Sequence, residues 1–352
     1  MCMVTRRETK IIKVGSLFIG GSAPISVQSM TSSDTRDIDA TVNQIQRLTD
    51  AGCELVRVAV PDIRAAENLG EIKRQISIPL VADIHFDYRL ALKAIEQGVD
   101  KLRLNPGNIR DKKNIARIVS AAKAKHIPIR IGVNGGSLPQ ELIDKYHGVT
   151  AEVMVESAHW EIDQFEKLDF TDIIISLKTS DVPTTIASYQ LMAKKVTYPF
   201  HLGITEAGPT WRGTVKSAVG LGILLAQGIG DTIRVSLTAD SVEEVKVGWE
   251  ILKALELRKR GVNLISCPTC GRCEVDLAQI IAQLEPKLDK IKKPITVAVM
   301  GCVVNGPGEA RLADIGIAAG KGTGVLIRHG EIIKKISESE FVSTLLEEIK
   351  KT

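Results

Sequence analysis

Short β-rich runs recur along the chain from residue 25 onward, and each is followed by a stretch whose apolar positions keep helical spacing. The runs cover residues 25–30, 55–60, 80–86, 101–105, 127–134, 172–178, 200–206 and 232–237. Between them, residues 39–51 place Val42, Ile45 and Leu48 on one helical face, and residues 241–260 do the same with Val245, Trp249 and Leu252. A strand and a helix every thirty residues or so is the size of a βα unit. Eight consecutive units predict an α/β fold, a (β/α)8 TIM barrel. A doubly wound sheet is the weaker alternative, because no Gly-x-Gly-x-x-Gly turn follows the first strand. The longest gap, between the fifth and sixth strands, predicts an extra strand or helix around residues 151–155.

Alternate side chains of a barrel strand point to opposite faces. In residues 233–237 the aliphatics Ile233, Val235 and Leu237 turn toward the helices, which leaves Arg234 and Ser236 facing inward. In residues 127–134 the isoleucines and Val133 share one face, and Arg130, Gly132 and Asn134 the other. The same division yields Arg57, Asp83 with His85, Arg103 with Asn105, and Ser176 with Lys178; Glu206 closes the seventh strand. Polar residues therefore collect at the carboxyl ends of the strands, where barrel active sites are built. Taken singly, each has a bland reading: a barrel-layer arginine, half of a structural ion pair, a satisfied core histidine. Taken together they do not. Arg57, Arg103, Arg130, Lys178 and Arg234 outnumber Asp83 and Glu206, and uncompensated buried charge is expensive. An anionic ligand would complete the site, and arginine forks suit a phosphate or diphosphate ester.

The chain is longer, at 352 residues, than one ordinary core, so a barrel plus a companion is expected, divided as residues 1–262 and 263–352. Hydrophobic residues at 44% and charged residues at 25% exclude disorder. Aromatics at 4% and a net charge of +4 speak against a nucleic-acid partner. The longest wholly apolar run, residues 218–226, is far short of the ~20 residues a membrane span needs. The first seven residues lack an apolar signal region, so a soluble, cytoplasmic protein is expected.

The companion carries a different chemistry. Cys267, Cys270, Cys273 and Cys302 lie in the last quarter of the chain, with an amphipathic helix and a strand at 295–300 between the third and the fourth. In a reducing compartment, clustered thiols read as metal ligands. A zinc ribbon needs a second Cys-x-x-Cys or a histidine pair, whereas an iron–sulfur cluster needs three or four thiolates. The spacing favours the cluster and predicts a small α+β iron–sulfur domain.

The segments Cys267-Pro-Thr-Cys-Gly-Arg272, Gly301-Cys-Val-Val-Asn-Gly-Pro-Gly-Glu309, Ala82-Asp-Ile-His-Phe86, Leu102-Arg-Leu-Asn-Pro-Gly-Asn108 and Gly203-Ile-Thr-Glu-Ala-Gly208 resemble the 4-hydroxy-3-methylbut-2-enyl diphosphate synthase family. The resemblance runs from about residue 9 to the C-terminus, in the compact form without a middle insertion. It implies an oxidoreductase of the non-mevalonate isoprenoid route, which opens 2-C-methylerythritol 2,4-cyclodiphosphate reductively and releases water. It implies a [4Fe–4S] cluster on Cys267, Cys270 and Cys302, with Glu309 as a carboxylate fourth ligand. It implies substrate contacts from Arg57, Asp83, His85, Arg103, Arg130, Asn134, Lys178, Glu206, Arg234, Ser236 and Asn305. The inward parity selects all of these except Asn305. Reduced ferredoxin or flavodoxin is the implied electron donor, and Glu206, His85 and Glu309 are the implied catalytic groups. Rival readings are a pterin- or corrinoid-type barrel methyltransferase and a zinc-bearing nucleic-acid module.

One feature departs from the family pattern. Cys273 completes a Cys-x-x-Cys-x-x-Cys run and by spacing competes with Glu309 for the fourth position. Substrate chemistry at iron needs an exchangeable ligand, which favours the hard carboxylate and leaves Cys273 a free thiol beside the site. Reach supplies a last expectation. A helix over 241–260 returns the chain to the far face of the barrel, and six extended residues to Cys267 span at most about 20 Å. A head-to-tail homodimer, each companion domain capping the other chain's barrel, resolves this.

Overall fold

The computed structural model describes residues 4–105, 109, 111–302, 304 and 306–351, and these form two compact units, Met1–Arg258 and Lys259–Thr352. The first unit opens with an antiparallel hairpin, β1 (Ile12–Val14) and β2 (Leu17–Ile19). Eight parallel strands follow: β3 (Ser26–Met30), β4 (Leu55–Val60), β5 (Leu80–Ile84), β6 (Lys101–Leu104), β7 (Ile129–Asn134), β8 (Ile173–Lys178), β9 (His201–Leu202) and β10 (Thr232–Ile233). They are ordered β8-β7-β6-β5-β4-β3-β10-β9, and a parallel bridge from Ile175 to Phe200 joins the two ends. The expected TIM barrel is thus present. Each strand sends its aliphatic set (Val56, Val58 and Val60 in β4; Ile129, Ile131 and Val133 in β7) outward into one continuous core under the helices.

The hairpin closes the amino end. Its Ile12, Val14 and Ile19 pack against Leu55, Val81 and Ile174, the inward residues at the starts of β4, β5 and β8. At the opposite end the βα turns repeat one device. Asp37, Asp62, Asp87, Asp111, Asp181 and Asp240 each cap the helix that follows by accepting a backbone N–H of its first turn. The gap after β7 holds helices Gln140–Tyr146 and Ala151–Glu166, so the extra element there is helical.

The last barrel helix differs from its expected length. It ends at Ala254 rather than 260, because Glu256 takes a left-handed φ of 53°. Leu257 N–H then bonds Leu252 O and Glu256 N–H bonds Lys253 O, a helix-stop geometry usually built on glycine. Arg258 is drawn back to the barrel, where it donates to Ile25 O at 2.6 Å and pairs with Glu54 at 3.0 Å.

The second unit is a five-stranded sheet of β11 (Val262–Ser266), β12 (Ile295–Met300), β13 (Ile315–Gly320), β14 (Thr323–Arg328) and β15 (Glu331–Ser337), in sequence order. The first three strands are parallel and the last two complete an antiparallel meander. Helices Leu277–Leu288 and Phe341–Lys351 bury Leu284, Leu288, Phe341 and Leu345 against one face of the sheet. Small residues (Ala298, Ala318) line the other face, and Ala310 of the short helix Gly306–Ala310 packs on them. Residues 262–266 are therefore an edge strand of this sheet and not a connector. The helix before it also stops at Ala254, so the expected helix and connector lengths both differ from those found.

Candidate functional site

Residues at the carboxyl ends of the barrel strands form a bonded polar network. Asp83 on β5 accepts from the Arg103 guanidinium at 3.1 Å and faces Arg57 Nε at 3.5 Å. His85 Nε2 sits 3.2 Å from the same Arg103 nitrogen and 3.4 Å from Asp83 Oδ1, so three strands meet on one carboxylate. Burial works against ionisation of Asp83, yet Arg57, His85 and Arg103 together outweigh it and hold the carboxyl well below its ordinary range. The Arg57 guanidinium also lies on the Met30 thioether, with nitrogen–sulfur distances of 3.0 and 3.1 Å, and burial pushes it down to about 10 against the pull of Asp83.

Gly132 on β7 makes room for this network. A Cβ there would stand 2.9 Å from Arg103 Nε and 3.4 Å from Ser176 Oγ, so any side chain would displace the guanidinium. Arg130, two residues before it on the same face of the strand, is 1% exposed, and two of its nitrogens have no protein partner among the described residues. Lys178 is buried as well. Burial first, then the fields of Arg130, Arg234, Arg57 and Arg103, pushes its ammonium well below the ordinary lysine range. Arg234 stands at the end of β10, half-buried, with its guanidinium 3.4 Å from Glu244. Ser236 is half-buried on the same parity. Asn134 is in register with Lys178 and, together with Glu206, Ser137 and Thr179, lines a cavity of about 500 Å³ at the rim. Glu206 is exposed there and holds a left-handed φ of 52°, a backbone state that non-glycine residues adopt at a cost. Asn305 lies outside the described residues.

Several groups escape the strand-end reading. Lys101 and His201 are fully buried on the same inward parity as Arg103, one layer deeper. Lys101 donates to Gln28 at 3.3 Å, while neither His201 nitrogen has a protein partner among the described residues. Burial, then Arg130 and other cations, pushes both well below their ordinary values. Glu244 comes from a helix and pairs with Arg234, whereas Glu206, counted among the inward acids, is exposed. The surplus of positive charge survives this exchange: Asp83 and Glu244 are the carboxylates paired with the strand-end arginines among the described residues. Such an interior can hold a polyanion of phosphate geometry.

In the second unit the thiols sit on the loops that follow β11 and β12. Cys267 is half-buried, and its Sγ accepts the Gly301 N–H at 3.2 Å. A Cβ at Gly301 would lie 2.4 Å from Cys273 Sγ and 3.7 Å from Cys267 Sγ, so both thiols converge on this glycine. Cys302 is buried next to it, Cys270 is exposed, and Glu309 is exposed on the short helix Gly306–Ala310. The Arg272 backbone N–H and guanidinium hold the Cys270 thiol below its ordinary range, which favours the thiolate that metals bind. Soft sulfur donors, an N–H···S bond and a glycine-lined cradle fit an iron–sulfur group. The cysteines are present on neighbouring loops, but among the described residues no three His, Cys, Asp or Glu side chains are drawn together tightly enough to hold a single metal ion.

A barrel with a cationic mouth, followed by a unit that bears clustered thiols, defines the class: a two-unit α/β protein with an anion-suited interior and a separate set of soft sulfur donors. The GcpE TIM-barrel domain matches residues 9–249 and the GcpE C-terminal domain residues 263–351, and the chain belongs to the GcpE family. It is 58% identical over 346 residues to the 4-hydroxy-3-methylbut-2-en-1-yl diphosphate synthase (flavodoxin) of Geobacter sulfurreducens, covering 98% of each chain. It is 57% identical over 349 residues to the protein of the same name from Thermodesulfovibrio yellowstonii, covering 99% of this chain and all of the relative. Among solved structures, the dihydropteroate synthase of Yersinia pestis superposes with a TM-score of 0.51 at 14% identity, over 70% of this chain and 97% of that one. That likeness is one of barrel fold alone, and neither the methyltransferase nor the nucleic-acid reading finds support. No helix is long and apolar enough to cross a membrane among the described residues.

Proposed function

We propose that this chain is an iron–sulfur oxidoreductase of the non-mevalonate isoprenoid pathway, a 4-hydroxy-3-methylbut-2-enyl diphosphate synthase working in the cytoplasm. The observation that carries the reading is the near-full-length identity to synthases of that name, on a chain whose barrel interior holds surplus arginine and lysine. The substrate is 2-C-methylerythritol 2,4-cyclodiphosphate; two electrons enter, the ring C–O bond to the diphosphate breaks, and a hydroxyl leaves as water.

Arg57, Arg103, Arg130, Lys178 and Arg234 hold the cyclodiphosphate and stabilise the oxygen that gains charge as the ring opens. Asp83 orients Arg57 and Arg103 for that task. Asn134 and Ser236 contact the substrate beside them, as does Asn305 from the second unit. Glu206, which lines the rim cavity, gives a proton to the departing hydroxyl, with His85 beside Asp83 as the alternative donor. Cys267, Cys270, Cys302 and Glu309 would hold a [4Fe–4S] cluster, which supplies the electrons and a Lewis-acidic iron. Reduced flavodoxin is the donor, as the relatives' names indicate, with ferredoxin as the alternative. Anion cradle and thiols belong to different compact units, and electrons must reach bound substrate at contact range. A head-to-tail homodimer in which each second unit serves the partner's barrel meets that need.

Anaerobically reconstituted protein is expected to be brown, to bleach with dithionite, and to convert the cyclodiphosphate to the linear diphosphate with reduced flavodoxin. Colourless protein that contains zinc, or coloured protein without conversion, would overturn the reading.

A further inference from the structure

Arg234 is one of the cations of the mouth that Asp83 does not hold. Its partner is Glu244, in the first turn of the helix Ser241–Ala254, which Asp240 caps. Glu244 is 5% exposed and saturated with donors. Its Oε1 accepts from Leu237 N–H at 3.0 Å and its Oε2 from Ser29 Oγ at 3.1 Å, while both oxygens face the Arg234 guanidinium at 3.4–3.5 Å. One carboxylate thus ties the end of β10, the strand β3 and a helix terminus around a single guanidinium. Both contacts with Glu244 come from Nη2, and Arg234 Nε has no protein partner among the described residues, which leaves part of the guanidinium open to a ligand.

We propose that Glu244 is a positioning residue for the diphosphate site: it touches no substrate but fixes the Arg234 guanidinium so that its free edge meets a phosphate oxygen. The inference rests on the function proposed above. The geometry parallels Asp83 with Arg57 and Arg103, on the opposite side of β3 and from a helix instead of a strand. A buried carboxylate beside an anion site is otherwise unfavourable, since its field repels the ligand. Its presence requires a return. Holding a flexible, rotamer-rich arginine in the bound geometry before the ligand arrives supplies one.

The opposing signs make the test decisive. Glu244→Gln keeps an acceptor for Leu237 N–H, presents an amide N–H that the Ser29 hydroxyl can accept, and removes one negative charge. If Glu244 acted only through its field, the added positive charge would tighten binding. If it positions Arg234, the dissociation constant of the oxidised, cluster-loaded enzyme for the cyclodiphosphate, measured by calorimetry, rises about tenfold. KM follows it while kcat stays within about twofold. In an Arg234→Gln background, Glu244→Gln then causes no further loss. Unchanged or tighter binding by Glu244→Gln, with wild-type enzyme binding and Arg234→Gln weakened, overturns the inference alone. Wild-type enzyme that binds no cyclodiphosphate overturns the functional reading, and the inference with it. Should Glu244→Gln fail to fold, Glu244→Asp retains the charge and withdraws the carboxylate; weaker binding supports positioning, and wild-type affinity overturns it.

Discussion

The barrel mouth and the cysteine loops are both built of residues that want a partner, yet they stand in different states of readiness. In the mouth, strand register places Arg57, Asp83 and Arg103 side by side, and the protein's own carboxylates stand in for part of the missing negative charge. Gly132 gives the guanidinium its room. In the second unit, Cys267 and Cys273 meet at Gly301, but Cys270 and Glu309 are exposed, and among the described residues the set does not close. A charged cradle can be assembled by folding alone, because salt bridges and hydrogen bonds substitute for ligand. Thiolates have no such substitute within a protein, and metal binding energy is what draws them together.

The sharpest way to break this contrast is to disable one region in each of two chains. Arg130→Ala is expected to keep the visible spectrum and lose turnover, because it removes a cation from the cradle only. Cys302→Ser is expected to lose both. A mixture of the two variants, refolded or co-expressed, recovers activity from the one intact site of a head-to-tail dimer; a mixture as dead as its components would remove the shared site. The second effect lies in the cradle. Asp83→Asn leaves Arg57 and Arg103 buried without their carboxylate and is expected to cost about 3 kcal/mol of stability. Its depressed carboxyl contributes stability above the ordinary value of 3.8, lost as pH falls through the lower folded value. Denaturant titrations should therefore show the wild-type advantage full near neutral pH and shrinking below pH 3.8. An advantage that is flat with pH would show that Asp83 acts by packing. The smallest effect is expected at Cys273→Ser, which should retain both cluster spectrum and activity; loss of the cluster would give Cys273 the ligand role assigned to Glu309.

The barrel was legible because each strand alternates apolar and polar residues in a structure that buries both faces, so parity alone sorts Arg57, Asp83, Arg103, Arg130, Lys178 and Arg234 inward. The same parity covers Lys101 and His201, which lie one layer below the strand ends where barrel chemistry is expected. Glu244 carried no such signal. Its role depends on a helix meeting Ser29 and Leu237, contacts that no local pattern encodes. The early stop at Ala254 was hidden for a related reason, since Glu256 occupies the left-handed position where glycine would have marked it. For the cysteines, spacing revealed the chemistry and not the arrangement, because ligands on loops take their geometry from what they bind.

The hairpin at the amino end gives the barrel a dry floor. Ile12, Val14 and Ile19 bring no polar group to the mouth, yet they keep bulk solvent from entering beneath Lys101 and Arg130. Attraction between a cation and a phosphate is several times stronger in a partly shielded interior than in water. A few aliphatic side chains remote from any chemistry thereby set the shielding on which the proposed grip of the cup on an anion depends.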